Sequence, residues 1–259
     1  MKNKILISIN IYSEKYYLRQ LNNIKKFCLF DDITIIYNCS KKFNDKLLTA
    51  YNCDTIKIIV NTEKIDKRRH TGLITKGIFS NFLHEKKNSY SQVLILSERS
   101  IFCNFLSQDI CCNKLTNCNN NLKFKYNHIT NKTYSTNCDK KACKIWINWK
   151  HLINYNLKNK LNKSLNLLET KFICSAHEGL ILDGNAFKIL NEYIINLTSD
   201  KLDIIYNSNW CIEEYIISNL CYNLNCKCNS LLRSGNKIIY NMKTNPMFNH
   251  YKCITKIKL

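Results

Sequence analysis

The chain has 259 residues, 45% of them hydrophobic, with one proline (Pro246) and five glycines. This is an ordinary globular composition that can bury a sizeable core, and so little proline and glycine leaves no linker to divide it, so one compact domain over residues 1–259 is expected. The formal net charge of +20 raises nucleic acid as a partner, because clustered Lys and Arg neutralise phosphates and release counterions.

The charge is spread rather than clustered. Lysine, asparagine, isoleucine and tyrosine are all heavily used, as an AT-rich coding sequence would impose, and the longest basic cluster is Lys67-Arg68-Arg69. Nucleic acid is therefore not expected as the main partner, although the same charge would suit a nucleotide-sugar diphosphate. Fifteen cysteines suggest a disulfide scaffold, but that inference belongs to short secreted chains with a signal peptide. The apolar stretch near Met1 is too short for a signal peptide, and no later segment approaches the roughly 20 apolar residues of a membrane span. Free thiols and a cytoplasmic location are expected.

Residues 5–9 form a short β-branched run of the kind that becomes a buried parallel strand. Tyr17, Leu18, Leu21, Ile24 and Phe27 then recur at helical spacing. Residues 33–37 predict a second strand, 43–51 a helix, 56–60 a third strand, 72–83 a helix, and 93–96 a fourth strand. This alternation implies βαβ units and a mainly parallel sheet, flanked by helices. Such folds bind ligands beyond the carboxyl ends of their strands, which directs attention to residues 10–14, 38–41 and 97–99. Asn10 and Asn38 are the candidate nucleotide contacts there, with Ser8 two residues before Asn10, and His70 is either a turn residue or a further one.

Residues 104–137 are rich in Asn, Cys and Lys, with weak periodicity, and read as an irregular surface insertion. It separates residues 1–103 from residues 138–259. In the second half, residues 144–149 and 179–182 read as strands, 185–196 and 210–220 as helices, and 237–240 and 252–259 as extended. Cys221, Cys226 and Cys228, with Cys111, Cys112 and Cys118, raise the question of zinc. Cys226-x-Cys228 has the wrong spacing for a knuckle and no second half follows it, so no metal is expected.

Five segments in order carry a resemblance: ITIIYNCSK (33–41), KRRHTGLITKGIFSNFL (67–83), VLILSERSIF (93–102), ICSAHEGLILDGNAFKIL (173–190) and IEEY (212–215). Together they resemble the core-2/I-branching β-1,6-N-acetylglucosaminyltransferases and the related peptide xylosyltransferases, in particular short viral or bacterial versions. The resemblance covers nearly the whole chain. It implies a GT-A-like fold, with residues 1–103 the nucleotide-sugar-binding half and residues 138–259 the acceptor and catalytic half. It also implies an inverting transfer of a GlcNAc- or xylose-like sugar from a UDP-sugar donor to a glycan or protein hydroxyl acceptor.

By the same resemblance Glu214 matches the catalytic base, with Glu213 at the preceding acid, and Arg233 and Lys256 match the cations that bind the donor diphosphate. Glu98, Glu178 and Glu213 are candidate ligands of acceptor hydroxyls, and Trp146, Trp149 or Trp210 candidates to stack on a sugar face, although residues of these kinds are more often core or rim. Taken alone, Glu213-Glu214 reads as the acidic first turn of a helix. No Asp-x-Asp motif follows a strand; Ser97-Glu98-Arg99 puts a cation where the second carboxylate would stand. Two cations can stabilise a leaving diphosphate instead, so no metal cofactor is expected. The chain departs from the family at Asn38, where Asp is usual, and at Ser97–Ser100, which lacks the family's Asp and Pro. The competing readings are a degenerate, inactive transferase and a basic nucleic-acid-associated protein.

Overall fold

The computed structural model describes residues 3–11, 14–39, 49–61, 90–98, 100–102, 104–116, 124–127, 132–135, 172–174, 179–206, 212–226, 228–230 and 254–256. The expected helices at 43–51 and 72–83, and the extended segments at 144–149 and 237–240, lie wholly or almost wholly outside these residues.

β1 (Lys4–Ile11) leads into α1 (Glu14–Phe27), then β2 (Cys28–Leu29), β3 (Asp32–Cys39), β4 (Ile56–Asn61) and β5 (Gln92–Ser97). β6 (Ser100–Phe102), β7 (Leu106–Ser107), α2 (Gln108–Thr116), β8 (Phe124–Asn127), β9 (Lys132–Ser135) and β10 (Phe172–Cys174) follow. The chain continues through β11 (Leu180–Asp183), α3 (Gly184–Ile195), α4 (Ser199–Tyr206), α5 (Ile212–Asn223), β12 (Cys228–Ser230) and β13 (Ile254–Lys256).

Six strands form one sheet in the order β12-β11-β5-β1-β3-β4. β5, β1, β3 and β4 are mutually parallel, whereas β11 runs antiparallel to β5 and β12 antiparallel to β11. The result is a mixed α/β fold with a mostly parallel central sheet flanked by helices. The long apolar runs of β1, β3 and β5 reflect that sheet, since its strands are covered on both faces.

Alternation along the strands sorts the core into two layers. Ile5, Ile7 and Ile9 of β1, with Ile33, Ile35 and Tyr37 of β3, pack with Tyr17, Leu21 and Ile24 of α1. Leu6, Ile36, Val93 and Ile95 face the other way, against Phe187 and Leu190 of α3 and Ile216, Ile217 and Leu220 of α5. Leu18, counted into the helical stripe, is instead exposed.

Where residues 104–137 are described, they depart from an irregular surface insertion. The stretch holds β7, α2, β8 and β9, and both Leu106 and Cys111 are fully buried in the α1-side layer. Among the described side chains of α2, Cys111 is buried and Cys112 exposed, and a buried cysteine adds little to an apolar periodic signal. α4 and the short strands β6 and β12 are further elements that the sequence pattern does not predict. Among the described residues no helix is long and apolar enough to cross a membrane.

Candidate functional site at the carboxyl edge of the sheet

The strand order reverses at β1. From β1 the chain builds outward to β3 and β4, then returns to add β5 on β1's other side. In an open α/β sheet such a reversal opens a crevice beyond the carboxyl ends of the two diverging strands. The residues reaching that edge are in register: Asn61 pairs with Asn38, Asn38 with Asn10, and Asn10 with Ser97. By the two-residue period all four lie on the face shared with α3 and α5, with Ser8 one step below Asn10.

This row is polar but uncharged, unlike the opposite edge, where Lys4 and Asp32 form an ion pair at 3.2 Å. Its amides are aligned. Asn61 Nδ2 donates to Asn38 Oδ1 at 3.2 Å, and Asn38 Nδ2 donates to Ser8 Oγ at 3.4 Å. Asn10 differs from its neighbours: it is 1% exposed, and neither Oδ1 nor Nδ2 has a hydrogen-bond partner.

At the β5 end, the turn into β6 is held from α1. Gln20 Nε2 donates to the carbonyls of Ser97 and Ser100, at 2.8 and 2.9 Å. Asn23 Nδ2 donates to the Phe102 carbonyl, and Asn23 Oδ1 accepts from the Phe102 N–H. Inside the turn, the Ser100 hydroxyl accepts from the Ser97 N–H and lies 3.1 Å from the Ser97 hydroxyl. Glu98, also buried, donates its N–H to the Asn10 carbonyl at 3.0 Å. That bond ties the turn to β1 and fixes the ends of β1 and β5 against each other. Gln20 and Asn23 sit among the buried positions of α1 beside Tyr17, Leu21 and Ile24. Two polar side chains within an apolar helical stripe are the signal by which sequence reading could have found them.

On β5's other side, Gly179 adopts a positive φ of 79° and donates its N–H to the Ile95 carbonyl at 2.7 Å. A left-handed backbone here favours glycine. β11 therefore starts at the carboxyl edge and runs away from it.

α5 packs through Ile216, Ile217 and Leu220 on the sheet face that carries the row. Its far end closes with a bond from the Cys226 N–H to the Cys221 carbonyl at 2.8 Å and with Asn225 in the left-handed region, a helix-ending reversal. The chain then enters β12, which runs parallel to β5. The helix thus runs opposite to β5, with its first turn, which holds Glu213 and Glu214, toward the carboxyl edge.

Lys256 lies in β13, in antiparallel register with Ser100 of β6. The backbone of β13 is therefore joined to the strand that Gln20 and Asn23 hold beside the row. His70, Glu178 and Arg233 lie outside the described residues, as do Trp146, Trp149 and Trp210. Of the residues expected at the site, the fold brings Ser8, Asn10, Asn38 and Glu98 together, and places the backbones of Glu213, Glu214 and Lys256 on elements that adjoin them. Asn61, Ser97, Ser100, Gln20 and Asn23 complete the arrangement.

The cysteines of the zinc question divide. Cys221, Cys226 and Cys228 are buried together below α5, Cys111 is buried in the other layer, and Cys118 lies outside the described residues. Hydrogen bonding to Cys226 and Cys228, with burial added, holds the Cys221 thiol well above its ordinary pKa, while the bond to Cys221 pulls Cys226 down. Among the described residues no group of three or more His, Cys, Asp or Glu side chains is arranged to hold a metal ion.

No protein-family model matches the chain, and no curated protein matches it.

Proposed function

We propose that the chain is an inverting, metal-independent glycosyltransferase that moves a GlcNAc- or xylose-like sugar from a UDP-sugar to a hydroxyl acceptor. The observation that carries this reading is the row Asn61-Asn38-Asn10-Ser97, set at the carboxyl edge where the strand order reverses. Uncharged amides and hydroxyls suit a nucleoside, whereas the diphosphate needs cations from elsewhere. The sequence resemblance supplies these as Arg233 and Lys256.

In this mechanism Glu214 accepts the proton of the acceptor hydroxyl. The oxygen attacks the anomeric carbon on the side opposite the diphosphate, the carbon–oxygen bond to UDP breaks, and the configuration inverts. Arg233 offers a bidentate fork and Lys256 a compact charge to the departing diphosphate. Glu98, Glu178 and Glu213 are proposed to hold acceptor hydroxyls. The direction of α5, with its first turn toward the carboxyl edge, supports Glu214 as the base, because base and nucleoside must approach the same sugar.

The test is a panel of UDP-sugars assayed for slow donor hydrolysis, with and without a chelator. UDP release from at least one donor is expected, at a rate the chelator does not change. Loss of release on chelation would overturn the two-cation mechanism, and no release from any donor would count against the transferase reading itself.

A further inference from the structure

A buried polar group without a partner costs about 1–3 kcal/mol, so each one calls for an explanation. Along the carboxyl edge, both ends of the Asn38 amide are already engaged, by Asn61 and by Ser8. Asn10 stands between Asn38 and Ser97, with both its donor and its acceptor unpartnered. It is also on β1, the strand at which the order reverses. Its backbone is fixed by the Glu98 N–H and by strand pairing on both sides, and its side chain is buried.

We infer that Asn10, rather than Asn38, reads the base of the bound nucleotide, and that it does so through a paired donor and acceptor. The inference rests on the nucleotide-sugar reading above. An amide presents N–H and C=O side by side. The imide edge of uracil presents the complement: a carbonyl that accepts from Nδ2 and an N3–H that donates to Oδ1. Shielded from bulk water, two such bonds form without competition from solvent. Asn38 acts as a positioning residue, and the Asn61-Asn38-Ser8 chain keeps the neighbouring amide from turning toward Asn10.

The experiment is calorimetric titration of the full chain with UDP and with UDP methylated at N3, which lacks the N3–H and adds bulk at that point. The wild type is expected to bind UDP tighter than the methylated form by about 10-fold or more, the worth of one or two hydrogen bonds. Asn10→Ala should lose most of that preference, mainly by binding UDP more weakly, while Asn38→Ala should weaken both ligands alike and so leave their ratio in place. A thermal melt of each variant identifies any that fails to fold; should Asn10→Ala do so, Asn10→Ser, which keeps a polar group but not the paired donor and acceptor, takes its place with the same expected loss of preference. Equal affinity of the wild type for the two ligands would overturn the inference while leaving the transferase reading in place. The same holds if Asn10→Ala keeps the full preference. Failure of every UDP compound to bind would remove the transferase reading and the inference with it.

Discussion

Glu214→Gln is expected to lower the rate of sugar transfer by about 10²–10⁴-fold, the usual contribution of a positioned general base. Glutamine keeps the size and hydrogen-bonding shape of the side chain but cannot take up the acceptor proton, so UDP binding should be unchanged. Adjacent helical residues point about 100° apart, so only one of Glu213 and Glu214 can aim at a given reacting atom. Glu213→Gln is therefore expected to raise KM for the acceptor with a much smaller effect on kcat. Steady-state kinetics of the two variants, side by side, check the assignment. Equal, mild losses in both would mean that the pair is only the acidic first turn of α5, where the helix dipole favours a carboxylate.

The second large effect is on stability and involves no assumption about function. Gly184 opens α3 directly after Asp183, which caps the helix by accepting from the Ala186 N–H at 2.6 Å. The Gly184 N–H also donates to the Ser91 carbonyl at 2.8 Å, so the start of α3 lies against the start of β5. A Cβ at this position would overlap the carbonyl oxygen of Tyr90, which is backbone and has no rotamer by which to move aside. Gly184→Ala must push α3 away from β5 and is expected to cost about 3 kcal/mol, at the upper end of ordinary overpacking. In a chain of this size that corresponds to a fall in Tm of roughly 6–12 °C. Asp183→Ala, which removes only the cap, should cost about 1 kcal/mol. Thermal melts of both variants check the order. An unchanged Tm in Gly184→Ala would mean that the β5–α3 junction is loose enough to absorb a methyl group.

The parallel half of the fold was legible because its strands are covered on both faces. Residues 5–9, 33–37, 56–60 and 93–96 are apolar runs too short for helices, and each became a strand slightly longer than its run. The polar residues at their carboxyl ends were legible by the same logic, which singles out Asn10 and Asn38. Strand direction was less visible: the run at 179–182 gives no sign that β11 is antiparallel, since orientation is set by the long connection before it. The α2 region is less legible because, among its described residues, Leu106, Ile110 and Cys111 pack on the core without the run of apolar residues that marks the strands.

Within the site, the register that brings Asn61, Asn38, Asn10 and Ser97 abreast is a tertiary property. Single-strand patterns do not contain it. Nor does the sequence reveal which amide is engaged and which is left over; that distinction separates Asn38 from Asn10 only once Asn61 is seen beside Asn38. Gln20 and Asn23 were legible in principle, as polar intrusions on the buried face of α1, and their partners lie about 80 residues away in sequence.

The most direct test of the nucleotide site is titration of the wild-type chain with UDP, in parallel with a single-stranded oligonucleotide, at low and at moderate salt. The expected result is saturable binding of one UDP per chain, retained in excess chelator, with only weak binding of the oligonucleotide. Absence of UDP binding, together with oligonucleotide binding that falls steeply as salt rises in the manner of counterion release, would contradict it and assign the basic surface to nucleic acid.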